Sequence, residues 1–419
     1  MKLLLGCGGA NPNSLDSSGR SPLSHAALWG YKGVLKLLLK RRDTNPNLVD
    51  SNGRTPLSFA ASEGHEGVVK LFLERGDVDP NLPDSSGRTP LLFAALKGHE
   101  GVVNLLLERR DSNPNLVGSD GRTPLLIAAS KGHEGIMKLL LERGDTDPDL
   151  PDTDGRTPLS FAALEGHEAV VKLLLGCGDV NPNSLDSNGQ SPLSHAAAER
   201  HGAVVKLLVE SRDIDPNSPD RNGLTPLLYA AKWGREDLVK LFLEHGSVNL
   251  NSPDRNGRTP LSFAVAEGHE GVVKLLLEHR DTNPNLPDSD GRSLLSFAAS
   301  AGHEGVVKLF LKRGDANPNL PDSNGRTPLS FAAYLGEEGV VKLLLERKDT
   351  NPDLPDNNGR TPLSFAASAG HEGVVKPFLE HGDVDPDLPD SNGQTPLSFA
   401  ASRGCELGNI DPRSLDSLG

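Results

Sequence analysis

GRTPLSFAASEGHEGVVKLFLERGDVDPNLPDSS, from Gly53 to Ser86, contains two helices and a turn, and its reading decides the fold. Thr55 stands where an N-cap belongs and Pro56 suits the first helical position. Leu57, Ala60 and Ala61 follow at helical spacing, and the alanines allow close stacking. Glu63-Gly64-His65 breaks this helix. A second helix is expected from Glu66 to Arg75, apolar at Val68, Val69, Leu71, Phe72 and Leu73. Those residues cover too many faces for a helix open to water, so it should be covered on both sides. Gly76 is expected to end it, with DVDPNLPDSSG as an extended, proline-pinned turn. Helices this short are marginal alone, so stacking on neighbours must supply their stability.

The neighbours are copies of the same unit. The turn glycine recurs at Gly19, Gly53, Gly87, Gly121, Gly155, Gly189, Gly223, Gly257, Gly291, Gly325, Gly359 and Gly393, every step being 34 residues. That gives eleven full units over 19–392, a partial one at 1–18 and a truncated one at 393–419, with no linker between them. KLLLGCGDVNPNSLD (Lys172 to Asp186) repeats the opening KLLLGCGGANPNSLD five units later. The opening is therefore read as the back half of a repeat, and its leucine run is too short for a signal-peptide core.

G-x-TPL, then AA, then GH, then VV-x-LLL, then a glycine and a turn: this pattern resembles the ankyrin repeat, over essentially the whole chain. The resemblance implies an all-α solenoid of stacked helix-turn-helix units with extended turn fingers, one array over 1–419. The unit departs from the usual length of about 33 residues by one extra residue in the turn. The usual TPLH is here TPLS, or TPLL at Thr89, Thr123 and Thr225. The proline-bearing turn is similar to that of fungal multi-repeat ankyrin proteins, whose arrays often follow an NTPase or other effector domain.

Composition narrows the function. A formal net charge of -14 argues against a nucleic-acid partner, because phosphate binding needs a basic stripe. No apolar run approaches the length of a membrane span. Three cysteines, Cys7, Cys177 and Cys405, make no disulfide framework and fit a reducing compartment, so an intracellular location, cytoplasmic or nuclear, is expected. Cys7 and Cys177 lie five repeats apart, on the order of 50 Å at the packing distance of helices, too far to pair.

All thirteen histidines fall into three columns of the repeat. Eight follow the inter-helix turn (His65, His99, His133, His167, His201, His269, His303, His371). His245, His279 and His381 end second helices, and His25 and His195 replace the first-helix phenylalanine. Metal ligands converge within about 2 Å of one ion, whereas stacked equivalents lie roughly 10 Å apart. The histidines are read as turn formers, and no metal site is expected. The turns PDTDG (Pro151 to Gly155) and PDSDG (Pro287 to Gly291) suggest an EF-hand loop. The acidic first and twelfth ligands would fall on Leu150 and Phe161, or Leu286 and Phe297, so that reading fails. Catalysis needs unlike groups converging at one asymmetric site, while here nearly every Asp, His and Ser is one of many copies. No enzyme and no cofactor are expected.

Specificity should then come from the exceptions. The resemblance implies that partners bind the turn tips and first helices, where most units carry small or charged residues. Three places differ: Leu28 with Trp29; Leu224 with Lys232 and Trp233; Tyr334 with Leu335. Both tryptophans of the chain occupy the same column. Trp233, with Arg221, Arg235 and Arg255 nearby in the repeat pattern, fits an anchor for a partner. The expected function is non-enzymatic recognition of another protein by a monomer. Beside it stand a sensor fragment of a larger, NTPase-type effector and a gene-model fragment without independent function. At the far end, Pro377 is expected to interrupt VVKPFLE, and GNIDPRSLDSLG, arriving early, to leave the last unit short of two helical turns.

Overall fold

Helix follows helix through the computed structural model, which describes residues 10–402 except 212, 285, 289 and 315; these residues contain 23 helices and no strand. They form two compact units that divide between Arg221 and Asn222. The first holds six helix pairs, from Pro22–Leu28 with Lys32–Leu39 to Pro192–Ala198 with Gly202–Val209. The second holds five, from Pro226–Lys232 with Glu236–His245 to Pro362–Ala369 with Glu372–Glu380, followed by Pro396–Ser402. Within each unit first helices stack on first helices and second helices on second, as the apolar pattern requires.

Each first helix starts as its sequence dictates. Thr55 Oγ1 accepts the N–H of Ser58 at 3.1 Å, and Pro56 occupies the first turn. Leu57, Phe59, Ala60 and Ala61 are fully buried, as are Val68, Val69 and Phe72 of the second helix. Leu71 and Leu73 are half-buried. Complete burial of one such large side chain stabilises by about 1.5–3 kcal/mol, so each repeat depends on its neighbours.

The helix break is a left-handed Gly64, φ +73°. A Cβ there would meet Nδ1 of His99 at 2.7 Å, so glycine is needed for both conformation and space. The second helix closes differently from the sequence reading. It ends at Leu73 rather than Arg75, capped by Glu74 in right-handed geometry, and Gly76 is not left-handed. Side chains of the following repeat supply partners for carbonyls at such helix ends: Arg109 Nη1 donates to the Arg75 carbonyl at 3.3 Å, and Arg75 Nη1 itself to that of Leu39 in the preceding repeat at 2.8 Å.

The turns are organised by carboxylates and amides. Asp50 Oδ1 accepts the N–H groups of Asn52 and Arg54 at 2.9 and 2.8 Å. The N–H of Ser85 donates to Asn52 O at 2.8 Å, stitching one turn tip to the next. Further back, Asn47 bridges two repeats: its Nδ2 donates to Asp77 O at 2.7 Å and its Oδ1 accepts the N–H of Asp79 at 3.2 Å. The second asparagine of the NPN motif, as at Asn47, is thus a rung between repeats.

Pro377 does not interrupt its helix, contrary to the sequence reading: Glu372–Glu380 runs through it. Val374, Val375 and Phe378 are buried and hold the helix in place despite the missing N–H. The expected truncation after Ser402, residues 1–9 of the opening half-repeat, and Cys405 lie outside the described residues, as does Cys7.

Candidate functional site

The first helices end on two adjacent columns, and the exceptional residues sit there. Trp29 caps Pro22–Leu28 and Trp233 caps Pro226–Lys232, with φ near -97° and -96°. Their side chains are 64% and 46% exposed. The backbone of this segment is fixed from the following repeat. His65 Nε2 donates to the carbonyl of Leu28 at 3.1 Å, and His269 Nε2 to that of Lys232 at 3.1 Å. The turn histidines are therefore inter-repeat staples, and Leu28 and Lys232 carry backbone roles whatever their side chains do.

In the second unit, Lys232 Nζ lies 5.4 Å from the centre of the Trp233 ring, in cation–π contact. Arg235 takes the place of a staple histidine, but its guanidinium is held by Asp237 (Nε to Oδ1 3.1 Å, Nη2 to Oδ2 2.9 Å), a pairing that raises the arginine's pKa and lowers that of Asp237. Leu224 is half-buried. Arg255 is exposed and its N–H donates to Asn222 O at 3.1 Å. Arg221 belongs to the first unit, where it is exposed and its N–H donates to Asn188 O at 2.8 Å. Of the residues grouped around Trp233 by sequence, the structure therefore joins Lys232 to the indole directly.

Tyr334 and Leu335 occupy the same two columns three repeats later, 54% and 46% exposed. Tyr334 packs edge-on against Phe365 of the next repeat, centroids 6.0 Å apart at 83°, and its carbonyl accepts His371 Nε2 at 3.0 Å. In the first unit, half-buried Leu28 precedes Trp29, and Tyr31, in the staple-histidine column, is a further exposed aromatic. Sequence reasoning passed over Tyr31, although its departure from histidine signalled it. It also missed Leu15, Val49, Val117 and Leu185, exposed apolar residues in the turn column that elsewhere holds proline.

Beneath these columns runs a ladder of arginine on phenylalanine. Arg54 lies between Phe59 and Phe93, its guanidinium carbon 4.2 and 4.4 Å from the ring centres. Arg88 covers Phe93 and binds Asp84 through Nε and Nη2 at 3.0 and 2.8 Å. Burial works to raise the Asp84 pKa, but the Arg88 side chain and the N–H groups of Arg88 and Ser86 outweigh it and hold it below the usual value. Arg88, Asp84 and Phe93 are committed to one another, whereas Arg54 stacks between its two rings with Nε and Nη2 lacking a hydrogen-bond partner. Among the described residues no group of three or more His, Cys, Asp or Glu side chains is placed to hold a metal ion, and no helix is long and apolar enough to cross a membrane.

Comparison with family models gives matches to ankyrin repeats (three copies) at residues 1–84, 33–118, 76–152, 144–220, 212–288, 280–356 and 339–409. Comparison with curated proteins gives no match. Ankyrin repeats are in general protein–protein interaction modules, and proteins built from them are typically non-enzymatic binding scaffolds. The matched segments overlap from residue 1 to residue 409, and the chain belongs to the ankyrin-repeat family.

Proposed function

We propose that the repeats act as a single array that recognises another protein without catalysis, with tryptophan at the end of a first helix as the principal anchor. One observation carries this reading. Trp29 and Trp233 occupy the same register position, and both keep much of the indole exposed on a backbone fixed by a histidine from the next repeat. A rigidly presented indole offers large apolar area at low entropic cost, which suits a hot spot. Lys232 beside Trp233 adds a charge that a partner carboxylate can meet, and Tyr334 with Leu335 extends the same columns. Arg221 and Arg255 are the exposed arginines that would contribute charge-assisted contacts; Arg235, bound to Asp237, would contribute less.

The test is recovery of a binding protein with the intact chain, followed by its affinity for Trp29→Ala and Trp233→Ala at matched folding. A partner whose affinity falls with these variants while their melting curves stay in place supports the anchor reading. Unchanged affinity in both variants overturns it.

A further inference from the structure

The sixth repeat changes two members of the arginine–phenylalanine ladder together. In six sister repeats, those of Arg88, Arg156, Arg258, Arg292, Arg326 and Arg360, the residue after the turn glycine is an arginine that covers the first-helix phenylalanine and pairs with the turn aspartate. Arg258 binds Asp254 Oδ2 through Nε and Nη2 at 3.1 and 2.9 Å, with its guanidinium carbon 4.2 Å from the Phe263 ring centre. Arg360 repeats this with Asp356 at 3.2 and 2.9 Å and with Phe365 at 4.4 Å. At the matching positions the sixth repeat has Gln190 for arginine and His195 for phenylalanine. The turn aspartate remains: Asp186 Oδ1 accepts the N–H groups of Asn188 and Gln190 at 2.8 and 2.9 Å. Its Oδ2 takes a bond from His195 Nε2 at 3.1 Å, in place of the two that Arg88, Arg258 and Arg360 give.

Losing the guanidinium leaves space. A pocket of about 420 Å³ opens within the first unit, bounded by Asp154, Arg156, Asp186, Gln190, His195 and Glu199. Its one lining cation is already engaged, Arg156 Nη2 lying 2.6 Å from Asp154 and 3.2 Å from Asp152. Glu199 is exposed and forms no salt bridge among the described residues. His195 is 5% exposed, and burial holds its pKa below the usual value against the opposing pull of Asp186. A neutral imidazole there presents a flat face without repelling a cation.

We propose that this pocket receives a guanidinium: an arginine of the protein partner enters it, lies against the His195 ring and bonds to Asp186 Oδ2 and Glu199. Sister repeats supply the template, since in the repeats of Arg88, Arg258 and Arg360 the same aspartate and the same ring position hold the chain's own arginine there. A planar fork of donors fits such a slot, whereas an ammonium group could neither stack nor bond twice in one plane. The assignment rests on the protein-recognition reading and names the partner chemistry at one point of it.

The experiment titrates the full chain with N-acetyl-arginine methylamide and follows the amide resonances of Ser187 and Glu199, with the uncharged citrulline analogue as control. Saturable shifts with arginine and none with citrulline are expected, half-saturating on the order of millimolar for one isolated side chain. The double variant Gln190→Arg with His195→Phe restores the sister arrangement, so it should fold with an unchanged melting curve and bind the probe at least about tenfold more weakly. Absence of saturable shifts, equal shifts with citrulline, or unchanged binding in the double variant would overturn the proposal. The titration needs no protein partner, so its failure would leave the tryptophan reading to its own test.

Discussion

The ring of His99 crosses from one repeat to the last turn of the preceding first helix, where Nε2 donates to the carbonyl of Ser62 at 3.0 Å. The same ring sits against Gly64, at which an added Cβ would lie 2.7 Å from His99 Nδ1. One histidine thus joins two repeats and fixes the residue type that breaks the first helix.

Replacing His99 by alanine removes this bond and leaves an otherwise unsatisfied carbonyl. The expected cost is about 1–3 kcal/mol, the range for a buried polar group losing its partner. Urea denaturation together with amide exchange would show it, with exchange rising first at the start of the helix Glu100–Leu107. Gly64→Ala should cost at least as much, since it adds left-handed strain to the collision with the ring.

Asp149 and Asp353 stand where sister repeats use asparagine as the rung. Asn115 Nδ2 donates to Asp145 O at 2.7 Å and Asn183 Nδ2 to Asp213 O at 2.6 Å, but Asp149 and Asp353 each leave a buried Oδ1 without a hydrogen-bond partner. Burial raises both pKa values above the usual one, outweighing the N–H groups of Asn181 at Asp149 and of Asp385 at Asp353, which pull the other way. A raised folded pKa gives stability that is present below the unfolded pKa and lost as pH rises through the folded one. At neutral pH both carboxylates therefore work against folding. Asp149→Asn should stabilise by on the order of 1 kcal/mol at pH 7, and its advantage should vanish below about pH 3.8. Paired denaturation curves across pH 3 to 7 would check the sign.

Trp233→Ala should weaken partner capture by roughly thirtyfold, the usual consequence of truncating a central aromatic anchor by about 2 kcal/mol. The half-exposed indole and the Lys232 ammonium over it contribute modestly to folding, so the melting temperature should stay close to that of the parent. A fall of many degrees with normal binding by the folded fraction would make Trp233 a packing residue.

Pro377 lies inside Glu372–Glu380, where the preceding repeat has Leu343. Pro377→Leu restores an N–H able to bond the Gly373 carbonyl and removes the ring's clash with it, which should stabilise by up to about 3 kcal/mol. Amide exchange in this helix and in Pro396–Ser402 should slow in the variant. Unchanged exchange would show that the helix already accommodates the proline.

The repeat, the helix pairs, their threonine and proline starts and the glycine break were all legible in the sequence. Each depends on residues within about four positions of one another, and the 34-residue period repeats that local information twelve times. The contacts that join repeats span 30 to 37 positions, and the stacking register alone brings them together. Among them are the histidine staple on Ser62, the asparagine rung on Asp77 and the arginine cap on Leu39. Sequence spacing placed Gly76 as a helix cap, but Arg109 of the next repeat donates to the Arg75 carbonyl there, as Arg75 does to Leu39 one repeat earlier, reaching carbonyls a helix end leaves unpaired. The same holds at the sites: composition singled out Trp233, whereas the pocket beside His195 follows from which side chains the stacked helices bring together, Asp154 and Arg156 of one repeat with His195 and Glu199 of the next.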